Sequence, residues 1–155
     1  MKTQFRLMAF ICMLAMLATT AFTSCGDDDD DEGSSDPTAL IGTWKLYEEG
    51  EEWKDSDGDK GKDSERFDDD NDYWETVTFN EDGTYEVKWF DARKDAKVHT
   101  ETGTYSVKNG CLYMSGSEAE FNGVPFSVSG NTLTVTFEYT EDGDWARDWS
   151  IYKKQ

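Results

Sequence analysis

The feature that most constrains the fold is the alternation of apolar and polar residues in short runs after Pro37. A period of two, with many β-branched and aromatic residues, is typical of half-buried strands, and no helical period competes with it. Gly, Asn and Asp separate the runs, as in antiparallel sheets. The pattern predicts an all-β domain with eight strands, at 42–48, 74–80, 84–90, 98–108, 111–115, 120–128, 132–139 and 145–153.

The connections between these runs alternate between tight and long. Glu81-Asp82-Gly83, Asn109-Gly110 and Ser129-Gly130-Asn131 carry residues that tolerate positive φ in hairpin turns. The other connections are longer, at 49–73, 91–97, 116–119 and 140–144. In an up-and-down meander alternate connections lie at opposite ends, so we expect tight turns at one end and long loops at the other. Closing the eight strands into a barrel would remove the unpaired edges of an open sheet.

Short motifs resemble those of lipocalins. Gly42-Thr43-Trp44 matches the Gly-x-Trp signature on the first strand, and the hairpin residues 77–85 and 103–107 resemble those of bacterial lipocalin-like lipoproteins. The resemblance implies one domain, residues 39–155, folded as an eight-stranded antiparallel up-and-down lipocalin-like barrel. It also implies that Trp44 plugs the closed end, where Lys153 and Lys154 replace the usual Arg as its cover.

Residues 1–24 combine a short basic start with an apolar stretch, which is typical of a secretory signal. A transmembrane helix is the alternative, but the stretch is shorter than the roughly 20 apolar residues that a bilayer core requires. Cys25, directly after Thr23 and Ser24, resembles the lipobox of bacterial lipoproteins. The resemblance implies cleavage before Cys25 and attachment of an acyl anchor that holds the protein in the outer membrane.

Residues 25–38 form the predicted tether. The acidic run at 27–32 repels itself and has no apolar residue to bury, so we expect a solvated, extended segment. The same run behind Cys25 resembles the export tags that send some Gram-negative lipoproteins to the cell surface. The two interpretations are compatible, and together they predict a domain displayed on the cell surface. The alternative is an anchor that faces the periplasm.

The chain is strongly acidic, with a formal net charge of −19 from 15 Lys and Arg against 34 Asp and Glu. Nucleic acid is excluded as a partner, because binding to polyphosphate depends on basic side chains. The negative electrostatic potential of such a chain favours a cationic or neutral ligand. Since Cys12 leaves with the signal and Cys25 carries the lipid, Cys111 is predicted to stand alone as a buried apolar side chain.

Alternation assigns bulky residues to the inside of the barrel, which predicts a shallow cavity or a filled interior. The predicted inner positions are Trp44, Leu46, Val77, Phe79, Tyr85, Val87, Trp89, Tyr105, Val107, Leu133, Val135, Phe137, Trp149 and Ile151.

Four residues are candidates for ligand contact near the mouth of the barrel: Trp89, Trp145, Arg147 and Trp149. Aromatic side chains offer apolar area to sugars and peptides alike. Arg147 shares the predicted inward parity, and two roles stay open for it. It either forms an ion pair with Glu48 or grips an anionic group of the ligand.

The long connection at 49–73 contains Asp55-Ser56-Asp57-Gly58-Asp59, which resembles the start of a calcium loop. Asp55, Asp57 and Asp59 are therefore candidate calcium ligands, with Asp68, Asp69, Asp70 and Asp72 as further oxygen donors. Lys60 and Arg66 stand where an EF-hand loop needs its Gly and its bidentate Glu. A solvated loop without metal is the alternative, and no other cofactor is expected.

The predicted function is a non-enzymatic binding module for a small molecule, glycan fragment or peptide at an aromatic, acidic barrel mouth. The alternative is a surface protein-interaction module with a filled barrel, acting as an adhesin, an inhibitor or an accessory subunit. An enzyme is disfavoured because the sequence contains no nucleophile elbow, P-loop, dinucleotide glycine pattern or His/Cys cluster.

Overall fold

The computed structural model describes residues 34–67, 72–116, 120–141 and 143–155. A short helix, α1 (Pro37–Leu40), is capped by the Asp36 carboxylate, which accepts the Thr38 amide at 2.8 Å. Nine strands follow: β1 (Gly42–Lys54), β2 (Lys60–Arg66), β3 (Tyr73–Phe79), β4 (Thr84–Asp91), β5 (Val98–Lys108), β6 (Cys111–Gly116), β7 (Glu120–Ser129), β8 (Thr132–Glu141) and β9 (Asp144–Lys154).

Eight of these strands form a closed antiparallel ring. The order around the ring is β1-β3-β4-β5-β6-β7-β8-β9, and β9 pairs back onto β1. Each strand other than β2 therefore has a hydrogen-bonded neighbour on both sides. The predicted eight-stranded antiparallel up-and-down lipocalin-like barrel is confirmed.

The sequence pattern does not predict the ninth strand, β2. β1 continues past Glu48 to Lys54, and this second half pairs with β2 in a hairpin. The prediction of a long loop is therefore wrong for residues 49–66. Both faces of the hairpin carry polar residues, with Glu52 opposite Lys62 for example, so no apolar alternation marks these strands.

The tight turns lie at the closed end, together with the signature tryptophan. Asn109, Gly110 and Gly130 adopt positive φ in the turns that the sequence assigns to hairpins. Trp44 is fully buried, and its indole Nε1 donates to the Leu40 carbonyl at 2.7 Å. The Lys154 ammonium lies 5.1 Å from the Trp44 ring centroid, so a lysine does cover the plug.

The chain contacts the barrel from Ser34 onward, which is within the segment 25–38 that the sequence assigns to the tether. Ser34 and Val128 exchange two backbone hydrogen bonds of 2.8 and 2.9 Å. The Ser35 hydroxyl donates to the Phe126 carbonyl at 3.1 Å. Leu40, at the end of α1, is fully buried in the core.

The predicted inner face is correct except on β9. Leu133 pairs with Tyr152 and Val135 pairs with Ser150, so Tyr152 and Ser150 point inward. Tyr152 packs against the core, and Ser150 is buried. The inward assignment of Trp149 and Ile151 is wrong, because register with β8 and not the apolar alternation of β9 sets which residues face inward.

Cys111 is buried and disulfide-bonded, with its partner outside the described residues. The sequence holds two other cysteines, Cys12 and Cys25. The predicted buried position of Cys111 is confirmed, but the prediction that it stands alone is wrong, because it is disulfide-bonded.

Candidate functional site

Acidic side chains line the inner face of the open half of the barrel. A β-bulge between Leu46 and Glu48 shifts the alternation of β1, so that Glu49 turns inward instead of Glu48. Glu49 is only 8% exposed, and its cross-strand partner on β9, Ser150, is 6% exposed. One rung nearer the mouth, Glu51 pairs with Asp148.

A second inward carboxylate, Glu75 on β3, faces this column. The Tyr73 hydroxyl donates to Glu75 Oε2 at 3.2 Å, and the Tyr152 hydroxyl donates to Oε1 at 2.9 Å. We call Glu49, Tyr73, Glu75 and Tyr152 the carboxyl cluster. Burial raises the pKa of Glu75, and the hydrogen bonds from Tyr152 and Tyr73 offset part of that rise.

The two tyrosines of the cluster keep their protons and act as donors. Burial is the largest cause that raises the pKa of both Tyr73 and Tyr152, and the charges of Glu75 and Glu49 add to it. Both tyrosine hydroxyls therefore donate their hydrogen bonds to Glu75.

Glu49, in contrast, has no hydrogen-bond or ion-pair partner within the described part of the chain. Burial raises the pKa of the Glu49 carboxyl to about 8, and the charges of Glu75, Glu65 and Asp148 contribute in that order. No fully occluded polar side-chain atom of the described residues lacks a partner. The unpaired carboxyl of Glu49 therefore still touches open space, although its side chain is largely buried.

The next two strands of the ring, β4 and β5, carry another acid–tyrosine pair. The Tyr85 hydroxyl donates to Glu101 Oε1 at 3.1 Å, and both residues are buried. A Cβ at Gly116 would overlap the Tyr85 hydroxyl, so glycine is required there. Nearer the mouth, Trp89 stacks on His99 with ring centroids 5.2 Å apart.

The mouth itself holds a depression of about 310 Å³ between the ends of β1, β8 and β9. It is lined by aromatic and charged residues and one alanine, namely Trp53, Lys54, Asp55, Tyr139, Asp144, Trp145 and Ala146. Trp53 is 40% exposed and Tyr139 is 44% exposed, so both rings are available to a ligand. A second depression, of about 470 Å³, lies on the polar outer face of β3, β4 and β5.

The structure does not bring the four predicted ligand residues together. Trp145 lines the mouth depression, and Trp89 lies on the inner face, stacked on His99. Arg147 and Trp149 belong to the outer face of β9, since Ala146, Asp148 and Ser150 take the inward positions. The pairing of β9 with β8 therefore shows that the predicted inward positions of Arg147 and Trp149 are wrong.

The predicted ion pair of Arg147 with Glu48 is wrong, and its ligand role stays a prediction. It pairs with Glu138 on β8 at 3.6 Å, whereas Glu48 pairs with Arg66 on β2 at 3.0 Å. Both Arg147 and Glu138 are about half exposed, so the pair adds little to stability.

The candidate calcium residues form the turn between β1 and β2. The Asp59 amide donates to the Asp55 carboxylate at 2.8 Å, and Gly58 adopts φ 93°. Asp55, Asp57 and Asp59 do not assemble with other acids into a three-ligand metal group among the described residues. Asp68, Asp69 and Asp70 lie outside the described residues, so calcium binding stays a prediction.

Sequence reasoning missed the carboxyl cluster for two different reasons. Tyr73 and Glu75 share the inward parity of Val77 and Phe79, so continued alternation along β3 was a usable signal. The inward turn of Glu49 depends on the bulge in β1, and alternation alone cannot locate a bulge.

The outer face of β1, β2 and β9 carries aromatic rings under basic groups. The Lys62 ammonium lies 4.9 Å from the Trp149 ring centroid. The Tyr47 ring lies between Arg66, at 5.8 Å, and Lys153, at 5.4 Å. We call these five residues the outer aromatic patch, which is basic on a chain of net charge −19.

Comparison with known proteins places the chain in a family. Residues 40–135 match the family described as a lipocalin-like domain. A crystal structure of a lipocalin-like protein from Bacteroides uniformis ATCC 8492 is similar, with 19% identity over 76% of this chain and 99% of that chain, at a TM-score of 0.46. No curated protein matches the sequence. Among the residues described, no helix has the length and apolar character needed to cross a bilayer. Because the family match spans more than half of the chain, the protein belongs to the lipocalin-like domain family.

Proposed function

We propose that the protein is a non-enzymatic binding module that takes a small ligand at the open end of the barrel. The observation that carries the proposal is the mouth depression of about 310 Å³, where exposed aromatic rings and carboxylates meet. Depressions at the mouths of β-barrels are common ligand sites, and aromatic walls with a few polar groups are typical of them. The size suits a small molecule, a glycan fragment or a peptide side chain.

The filled closed half limits how deep such a ligand can go. Trp44, Tyr85 and Leu133 are at most 1% exposed and occupy the interior between the plug and the middle of the barrel. A large lipid-holding cavity is therefore not part of the proposal. The ligand would sit in the open half, against Trp53 and Tyr139.

The test is binding of small aromatic and cyclic probes, beginning with indole and a disaccharide, followed by NMR of the domain from Ser34. We expect chemical-shift changes that are confined to the mouth and lost in Trp53→Ala. Tyr113→Ala is the matched control, because Tyr113 lies on β6, away from the mouth, beneath Lys108. Equal shifts in wild type and Trp53→Ala would remove the mouth as the site.

We also propose that Cys25 carries a lipid anchor that holds the module at the outer membrane, displayed on the cell surface. The signal-like residues 1–24, the lipobox-like context of Cys25 and the acidic run at 27–32 support this. Protease shaving of intact cells is the test for surface display. A domain that is digested only after the outer membrane is opened would contradict it.

A second candidate function, contact with another protein, is favoured by the outer aromatic patch. Trp149 and Tyr47 present flat rings, and Lys62 and Lys153 supply positive charge to an acidic partner, whereas Arg66 is paired with Glu48. Aromatic and Arg residues are enriched at interface hot spots. Crosslinking pull-downs with wild type and with Trp149→Ala should differ by a specific partner; identical partner sets would argue against this function.

A further inference from the structure

The open half of the barrel buries a carboxyl group that has no counter-ion among the residues that the structure describes. Glu49 is 8% exposed and unpaired among the described residues, whereas Glu75 beside it accepts two tyrosine hydroxyls. The inner positions of the described strands hold no Lys or Arg; the basic side chains of β1 and β9 lie outward or at the ends. A buried carboxylate is stable only when a cation or donors approach it.

The inward positions of β1 and β9 between the mouth and Glu49 follow one another in register. Moving inward along β1 and β9, the cross-strand pairs are Trp53 with Ala146, Glu51 with Asp148, and Glu49 with Ser150. Inward positions are two residues apart, so Trp53 and Glu49 are separated by about 13 Å along the strand at about 3.3 Å per residue. The aromatic ring of Trp53 therefore lies at the rim, and the acidic side chains lie deeper in the barrel.

We propose that this inner face binds an elongated organic cation, whose ammonium or guanidinium end pairs with Glu49 and whose apolar body lies against Trp53 and Tyr139. The inference rests on the proposed function and names the ligand class of that site. A metal ion fits less well, because the described residues offer no group of three acidic or imidazole ligands. An organic cation supplies its own donors, so a single unpaired carboxylate beside Glu75 is sufficient.

Binding of a cation to Glu49 has a defined pH dependence. The groups that face Glu49 are Tyr73 and Glu75 from β3, Tyr152 and Asp148 from β9, and Glu65 from β2. Burial and these acids raise the pKa of Glu49 to about 8, so the free protein holds a proton there at neutral pH. The bound cation favours the ionised form, and the proton leaves to solvent. Affinity should therefore fall about tenfold for each pH unit below about 8, and level off above it.

The experiment uses a short and a long phenylalkylamine, each with the alcohol of the same length, titrated into the domain from Ser34 by calorimetry across pH. We expect the long amine to bind best and to release a proton, seen as a heat that depends on the buffer. Glu49→Gln should weaken the amine by about 30-fold or more and abolish the proton release, without weakening the alcohol. Glu65→Gln is the control, because Glu65 is the exposed cross-strand partner of Glu49 on β2, and the substitution removes an equal charge nearby but leaves the buried carboxyl in place.

The outcomes separate the two proposals. If amine and alcohol bind equally, or if Glu65→Gln weakens the amine as much as Glu49→Gln does, the cation site is refuted while a mouth site stands. If neither class of compound binds, both the cation site and the proposed mouth site are overturned.

Discussion

The unpaired Glu49 carboxyl makes a strong prediction about stability as a function of pH. In the folded protein its pKa is raised from 4.5 to about 8, so the folded chain keeps a proton that the unfolded chain loses. The free energy of unfolding should be highest below about pH 4.5 for this group, fall as pH rises to about 8, and stay constant above that. Glu49→Gln removes the titrating group and should flatten this part of the profile.

The magnitude follows from the size of the shift. At about 1.4 kcal/mol per pKa unit, the shift to about 8 costs the wild-type protein about 3 kcal/mol by pH 7 and about 5 kcal/mol by pH 9, relative to acid conditions. Burial also raises the pKa of Glu75 and of Asp148, so these two groups add their own pH dependence to the stability of both proteins. The difference between wild type and Glu49→Gln isolates the contribution of Glu49.

Urea unfolding of both proteins between about pH 5 and about pH 9 measures this difference directly. We expect the free energy of unfolding of Glu49→Gln to rise steadily relative to that of the wild type up to about pH 8. The profile of Glu65→Gln should follow that of the wild type. Parallel profiles of wild type and Glu49→Gln would show that Glu49 is solvated like an ordinary surface acid, and the reasoning about the cluster would fail.

Further predictions concern packing and processing. Leu133→Ala opens a cavity at a residue that is 1% exposed, so it should cost about 2–5 kcal/mol in the free energy of unfolding, measured by urea titration. Gly50→Ala should cost about 1–3 kcal/mol by the same assay, because a Cβ there would overlap the Trp149 ring and lie 2.8 Å from a backbone oxygen; an unchanged stability would contradict this close packing. Cys25→Ser should abolish palmitate labelling and leave an uncleaved precursor; normal labelling would end the proposal of an anchor.

The topology follows from the sequence because local signals repeat at each element of the ring. The turn residues Asn109 and Gly110 and the alternation of strands such as β4 each point to the same meander. Trp44 and Leu133 were predictable as core from parity alone. Agreement among turns, alternation and the Gly42-Thr43-Trp44 motif leaves few alternatives.

The candidate site is less predictable, because it depends on register and on polar strands. β9 presents Trp149 and Ile151 on one face, yet pairing with β8 turns the opposite face, with Ser150 and Tyr152, into the barrel. The β1–β2 hairpin has no apolar face at all, so its strands leave no period in the sequence. The hydrophobic pattern predicts where the core is, but it does not predict how polar residues are arranged in the interior.

The junction of Ser34 with Val128 has a consequence for how the domain is oriented. Val128 precedes the β7–β8 turn, and Ser35 lies beside Gly110 in the β5–β6 turn, so Ser34 and Ser35 lie at the Trp44 end of the barrel. With the proposed anchor at Cys25, nine residues span at most about 30 Å from the lipid to Ser34. The barrel would then stand on its base above the bilayer, and its opening would look outward, away from the lipid headgroups and toward solutes arriving from the medium.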